Sequence, residues 1–364
     1  MNSSVLFIST GYRDNSSGGR EMLSRLNYEI LKDIFEENFF DYHIDSSKNK
    51  KRYTFIIKKI FFGEIDGLNK KIYLEIAKKI EEYKISHVFL DGSNLGGAAR
   101  FIKNIDCKVT VITFFHNVES KFFFDLLKVN KTFKALAVLI ANFFSERMAI
   151  KNSDKIFCLT KVDSEILKRI FSREADSILP LSLKDRYFDE SFSDSHLSLK
   201  DYILFVGGRF YANEYGIKWF LKYVSPYIRF KTVVIGKGFE KISENYKDNE
   251  NICIIGEVDN IGKWYKYSQF VVAPIFHGSG MKTKVGEALM FGKKVYATKE
   301  ALIGYELLPN TAYTICCSAE DFIKEINLHE QVHSFDQEQR LRELFLDLYS
   351  ETASKERLYR AIFR

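Results

Sequence analysis

Short apolar runs that read as strands alternate with stretches of helical spacing along almost the whole chain. Val5–Ser9 is followed by helical spacing over Gly18–Phe35. Lys70–Tyr83 sets Ile72, Ile76 and Ile80 four apart on one helical face. Val88–Leu90 and Val109–Phe115 then read as buried strands, and a helical Ala141–Lys151 precedes a strand at Lys155–Leu159. Apolar strands separated by amphipathic helices are the pattern of a parallel sheet with crossover helices. The sequence turns polar and aperiodic around Asp185–Lys200, and a second series follows. Its strands are Ile203–Val206, Thr232–Ile235, Ile252–Ile255, Phe270–Pro274 and Val295–Thr298. Helical stretches around Tyr215–Tyr227, Asp259–Tyr267 and Lys282–Phe291 separate them, and Gln337–Arg364 is again helical.

This alternation predicts an α/β protein of two doubly wound, Rossmann-like domains facing across a cleft. The expected limits are 1–190 and 191–345, with a C-terminal helix over 346–364 as a candidate to cross back to the first domain. A length of 364 residues fits two or three domains, at ~100–200 residues each. Ligands of such sheets bind beyond the carboxyl ends of the strands, so the expected site is the cleft.

Composition narrows the class. Hydrophobic residues make up 46% and charged residues 28%, as in a folded soluble protein, and four prolines argue against long structureless linkers. A net charge of +6 permits an anionic ligand or surface without calling for nucleic acid. The cysteines Cys107, Cys158, Cys253, Cys316 and Cys317 form no CxxC pair and lie near no histidine at metal-ligand spacing. They are expected to be buried thiols of a reducing cytoplasm. The amino terminus shows no basic n-region, and no apolar run reaches the ~20 residues of a membrane span, so neither a signal peptide nor a span is expected.

The stretch FVVAPIFHGSGMKTKVGEALMFGKKVYAT, Phe270 to Thr298, carries the most chemical information. A strand ends at Pro274, a loop with Gly278 and Gly280 follows, and a helix begins near Met281. Val285, Ala288 and Leu289 give the helix a buried face, and Gly292 is placed to end it. A glycine loop feeding a helix amino terminus offers free N–H groups and the positive end of the helix dipole, a combination that binds phosphate. Thr283 and Glu287 share a face, and Glu287 lies roughly 10 Å along the axis, where a bound nucleotide diphosphate has its ribose. A carboxylate there can accept hydrogen bonds from both ribose hydroxyls. Taken alone, the stretch also fits an ordinary glycine turn before a surface helix.

The same stretch resembles the donor-binding motif of family-four type glycosyltransferases of the GT-B fold (glycosyl transferases group 1), bacterial surface-polysaccharide branch. The resemblance is carried by Gly278, Gly280, Lys282, Lys284, Glu287, Ala288, Leu289, Gly292, Lys293 and Val295. Where many members have a Glu-x7-Glu pair, Ser279 stands at the first position and only Glu287 remains. Tyr202 to Pro226 is similar to the opening of the family's second domain, with Arg209 after Gly207 and Gly208; an arginine at a strand's carboxyl end suits bidentate phosphate binding. Lys218 is a weaker second cation. Gly256, Glu257 and Val258 resemble the family's turn beside the nucleobase, and the turn Gly236–Glu240 is a candidate to line the cleft near the pyrophosphate. In the first half, Phe114–Ser120 resembles the family's His-Asn-x-Glu turn. Its histidine, His116, is implied to lie near the reacting sugar. Gly18 and Gly19 resemble the family's glycine pair near donor phosphate or acceptor. Glu146, in the segment Glu146–Lys168, reads as structural.

The resemblance implies a hexosyl transfer with net retention at the anomeric carbon, the leaving phosphate assisting deprotonation of the acceptor. With no Asp-x-Asp pair to hold a metal, the departing diphosphate would be stabilised by the fold itself. No cofactor or metal is therefore expected. Arg209, Lys282 and the amides of Gly280, Met281 and Thr283 are the candidates for that charge, with His116 at the sugar. Lys282 and Lys284 point about 200° apart on a helix, which leaves their division of duty open. The donor-nucleotide site is thus expected at Gly19, Gly208, Arg209, Gly256, Val258, Gly280, Met281, Lys282, Thr283 and Glu287. The expected partners are a nucleotide sugar, with UDP preferred from family frequency, and a glycan or lipid-linked acceptor, with no nucleic acid. Two lysine- and aromatic-rich stretches, Lys48 to Phe62 and Lys121 to Phe144, also suit an anionic membrane surface or an ordinary Lys-rich exterior. The expected location is cytoplasmic, with peripheral attachment to the inner face of the membrane left open. Two competing functions remain: a nucleotide-binding partner subunit without transferase activity, and a sugar-nucleotide epimerase or phosphorylase of the same fold.

Overall fold

The computed structural model describes residues 3–10, 19–45, 60–129, 131–188, 201–278, 280–329 and 335–364. Gly18, the basic cluster 48–59, the polar run 189–200 and Ser279 lie outside the described residues.

The chain divides into two compact units. The first comprises Met1–Leu181 together with Ser354–Arg364, and the second is Ser182–Ala353. The sequence limits differ most around residues 182–190. There, Leu183 donates its amide to Tyr349 at 2.8 Å, and Asp185 is held by both Nη atoms of Arg342, which ties the segment to the second unit.

Within the described residues of the first unit, six parallel strands make one sheet. They are β1 (Val5–Ser9), β2 (Phe39–His43), β3 (His87–Leu90), β4 (Thr110–Phe115), β5 (Lys155–Cys158) and β6 (Ser177–Ile178), in the order β2-β1-β3-β4-β5-β6. The second unit repeats the plan with β7 (Tyr202–Val206), β8 (Lys231–Ile235), β9 (Ile252–Ile255), β10 (Val271–Ala273), β11 (Val295–Ala297) and β12 (Tyr313–Ile315), in the order β12-β11-β10-β7-β8-β9. Both orders reverse direction next to the first strand of the unit. The switch points, where doubly wound sheets bind ligands, therefore lie between β1 and β3 and between β7 and β10.

The predicted core faces pack as expected. Ile72, Ile76 and Ile80 are all buried, on a helix that Asn69 caps by accepting the amides of Lys71 and Ile72. Other elements escape the period. The edge strand β2 (FFDYH) is half-buried throughout, so it lacks a continuous apolar run. The helix Gly96–Ile105 opens on Gly-Gly-Ala-Ala, whose small residues serve close packing and whose glycines are poor helix formers. A Cβ on Gly96 would lie 1.8 Å from the Ser145 carbonyl oxygen of the neighbouring helix. The helix expected at Tyr215–Tyr227 runs over Tyr211–Tyr223 instead, because Pro226 ends it early. The expectation of five buried thiols is also corrected. Cys158 and Cys316 are buried, whereas Cys107 and Cys317 are exposed, since they fall in the turns flanking β4 and β12. No described helix is long and apolar enough to cross a membrane.

Candidate functional site

The second unit gathers most of the predicted site residues at one end of its sheet. Gly207, Gly208 and Arg209 leave the carboxyl end of β7, at the switch point. The Gly207 amide donates to Ile235 and the Arg209 amide to Lys237, which ties this loop to the end of β8. Gly236 in turn donates to the carbonyl of Gly256 at 3.1 Å, so the turn after β9 joins the same rim. Val258 is half-buried two residues farther along. From the other side of the switch, β10 leads through Pro274 to Gly280 and the helix Thr283–Met290. Met281 is buried and Thr283 is the first helical residue. Gly292 follows with φ +68°, a left-handed conformation that closes the helix and favours glycine.

The charged groups at this rim are already engaged with one another. Arg209 donates to both carboxylate oxygens of Glu214 at 2.8 and 2.9 Å, and Lys218 donates to Glu214 at 2.6 Å. The hydrogen bonds from Arg209 and then Lys218 hold the Glu214 carboxyl down at about 2. The two lysines whose duties the sequence leaves open are separated by the fold. The Lys282 ammonium turns to the Gly280 carbonyl at 2.8 Å and to Glu300 at 3.1 Å. The Lys284 ammonium is buried and donates to Asn213 at 2.7 Å, while Asn213 donates to the Gly208 carbonyl at 2.9 Å. Lys284 thus faces the Gly207–Gly208 loop. Asn213 lies in the first turn of the Tyr211–Tyr223 helix.

Glu287 is not a solvated residue on a surface helix. It is 8% exposed, accepts the Tyr265 hydroxyl at 2.7 Å and faces the Arg186 guanidinium at 3.4 Å. Tyr265 is buried and stacks on Phe291. Neither Tyr265 nor Arg186 carries a sequence signal, because each meets Glu287 only through the fold.

In the first unit, Ser9, Asp91 and His116 close the ends of β1, β3 and β4 around the other switch point. His116 is 4% exposed and its Nε2 lies 2.9 Å from Asp91, which also accepts from Ser9 at 3.2 Å and from Asn27 at 2.9 Å. Burial pulls the Asp91 carboxyl upward. The adjacent imidazole and the hydrogen bonds from His116, Ser24 and Asn27 outweigh it and hold the carboxyl below its ordinary value. Nδ1 of His116 is buried and meets no hydrogen-bond partner among the described residues. Asp91 is missed by the sequence reading, and its one signal is a carboxylate placed directly after an apolar strand. Gly19 begins the helix that follows β1. Glu146 is fully buried and accepts from the amides of Glu119 and Ser120 at 2.6 and 3.1 Å and from the Ser93 hydroxyl at 3.2 Å. It therefore caps the helix after His116 and pins the loop after Asp91, the structural part assigned to it from sequence. Among the described residues, no three His, Cys, Asp or Glu side chains gather as a metal site.

The family described as "Glycosyl transferases group 1" matches residues 200–327. Those residues are a group 1 glycosyltransferase domain. The transferase domain spans β7 to the helix Ala319–Asn327 and includes the whole rim from Gly207 to Glu287. No curated protein sequence matches the chain. Among solved structures, the fold is similar to Alr3699/HepE of Anabaena in complex with UDP, at a TM-score of 0.69 and 10% identity over 99% of both chains. It is similar to a sucrose-phosphate synthase of Thermosynechococcus elongatus at 0.68 and 13%, and to the lipopolysaccharide outer core galactosyltransferase WaaB at 0.66 and 12%, again over 99% of both chains. At these identities the likeness shows the GT-B fold.

Proposed function

We propose that the chain is a retaining glycosyltransferase that moves a hexose from a nucleotide-diphosphate donor to a glycan or lipid-linked acceptor of a bacterial surface polysaccharide. One observation carries this reading. Within the transferase domain, a glycine loop bearing Arg209 and a glycine loop leading into the Thr283–Met290 helix converge on the switch point of the sheet. Helix amides, cations and a buried carboxylate there match a diphosphate with a ribose beyond it. The departing diphosphate is stabilised by Arg209, the lysines and the helix amides, without a metal. UDP is the preferred donor nucleotide, supported by similar structures that hold UDP and UDP-glucose. The experiment is a thermal-shift titration with UDP, GDP, ADP and CMP, then hydrolysis of the sugars of the best binder, with and without EDTA. Tight binding with neither hydrolysis nor transfer would point instead to a nucleotide-binding partner subunit.

Glu287 is read as the ribose acceptor. Glu287→Gln should weaken nucleotide binding by about 2 kcal/mol, the loss expected when a charged acceptor becomes neutral. Calorimetric titration of the variant checks this, and unchanged affinity for nucleotide and nucleotide sugar alike would remove the assignment.

The first unit is read as the membrane-facing half of a cytoplasmic, peripherally attached enzyme. In the second basic-aromatic stretch Phe133 is 94% exposed, with Phe124, Leu136 and Ile140 exposed nearby and Lys128, Lys131 and Lys134 beside them. Such a face can rest its apolar residues in an anionic interface while each lysine adds up to ~1 kcal/mol. Co-sedimentation with vesicles should rise with anionic lipid and fall with salt. It should drop several-fold in a Lys128→Glu, Lys131→Glu, Lys134→Glu variant, and binding indifferent to lipid charge would reject this docking.

A further inference from the structure

Lys284 is the buried cation the rim leaves unpaired. Its Nζ sits 4.6 Å over the ring of Phe205, and its hydrogen-bond acceptor is the neutral amide of Asn213. Among the described residues no carboxylate lies within ion-pair distance of it, whereas Lys282 has Glu300 and Arg209 has Glu214. A buried ammonium without a counter-charge is costly, and a protein that keeps one either neutralises it or supplies an anion from outside. The loop also packs closely on it: a Cβ on Gly207 would stand 3.3 Å from the Lys284 Nζ and 2.7 Å from the Asn213 side-chain nitrogen, so glycine lets the backbone approach both, while nothing stands within 4 Å of a Cβ on the adjacent Gly208.

We infer that Lys284 is the cation that meets the donor diphosphate, and that it takes up a proton from solvent as the diphosphate binds. The inference rests on the reading of the second unit as a nucleotide-diphosphate site. In the free protein, burial first and the charge of Lys282 second lower the Lys284 ammonium to about 7, against an opposing pull from Glu287. The other charged groups on the packed elements are Glu214 and Lys218 on the Tyr211–Tyr223 helix and Arg209 on the loop, and these three already pair among themselves. At slightly alkaline pH the amine is therefore largely neutral. The lone pair on Nζ takes a proton from water or buffer, and the resulting ammonium faces the two negative charges of the diphosphate. The phosphates of a nucleotide sugar are diesters and do not titrate near neutrality, so the proton gained belongs to the protein.

The sign follows from linkage. Binding that takes up a proton weakens as pH rises, and affinity should fall about tenfold from about pH 7 to about pH 8.5. The test is calorimetric titration of the full chain with UDP-glucose, and with GDP-mannose in parallel, at about pH 8 in two buffers of different ionisation enthalpy. The buffer dependence should return close to one proton taken up per nucleotide sugar. Lys284→Met should lose the uptake and flatten the pH dependence, with affinity at neutral pH down at least about tenfold, whereas Lys282→Met should keep an uptake, reduced because the charge of Lys282 no longer helps to lower Lys284. Tight binding with no uptake and no pH dependence overturns the role of Lys284 and leaves the nucleotide site standing. An uptake that survives in Lys284→Met assigns the proton to another group and also overturns it. Failure of every nucleotide sugar and nucleoside diphosphate to bind overturns both.

Discussion

Replacing His116 by alanine should cut turnover about 100-fold, near 3 kcal/mol in the barrier, while leaving affinity for free nucleotide unchanged. His116 belongs to the first unit, whereas the rim from Gly207 to Glu287 proposed to hold the nucleotide belongs wholly to the second. Asp91 engages one nitrogen of the ring at 2.9 Å, which fixes its orientation, and the other nitrogen is buried without a partner among the described residues. A buried polar atom without a partner is costly in the free protein, and a sugar hydroxyl would remove that cost. With His116 proposed to act at the reacting sugar, its loss should appear in kcat and in the affinity for nucleotide sugar relative to nucleotide. Asp91→Asn should produce a smaller loss of the same kind, since it frees the ring without removing it. If nucleotide affinity falls as far as turnover in His116→Ala, the histidine does not act at the sugar.

Gly216→Ala should destabilise the second unit by about 3 kcal/mol, although alanine is the better helix former by up to ~1 kcal/mol. Gly216 is buried in the Tyr211–Tyr223 helix, and a Cβ there would lie 1.8 Å from the carbonyl oxygen of Pro274. That oxygen is backbone, so no side chain can swing aside. The helix must retreat from the strand end that leads into Gly278 and Gly280. Both tryptophans, Trp219 and Trp264, lie in the second unit, so denaturant unfolding followed by their fluorescence reports on this unit alone. A lower midpoint at unchanged slope is expected. A midpoint equal to or above that of the parent would show that the helix does not approach Pro274 so closely.

Much of the second unit's site is legible in the sequence because its chemistry is local. A strand, a glycine loop and a helix carrying Lys282, Lys284 and Glu287 are consecutive, and backbone geometry alone places amides and carboxylate along one axis. The alternation of apolar runs with helical spacing likewise settles the α/β class and the two-sheet plan, since the 2.0 and 3.6 residue periods are properties of neighbouring side chains. The partners of those side chains are a different matter. That Lys282 turns to Glu300 while Lys284 is buried against Asn213 depends on which loops the order β12-β11-β10-β7-β8-β9 brings together. So does the contact of Tyr265 and Arg186 with Glu287, and the pairing of Asp91 with His116 across neighbouring strand ends. Sequence alone determined the fold class and the strand, glycine loop and helix proposed to bind phosphate, because both are written in short-range pattern. Tertiary structure alone decided which charges are paired and which are buried, because burial and charge pairing are set by residues distant in the chain and adjacent only in the folded sheet.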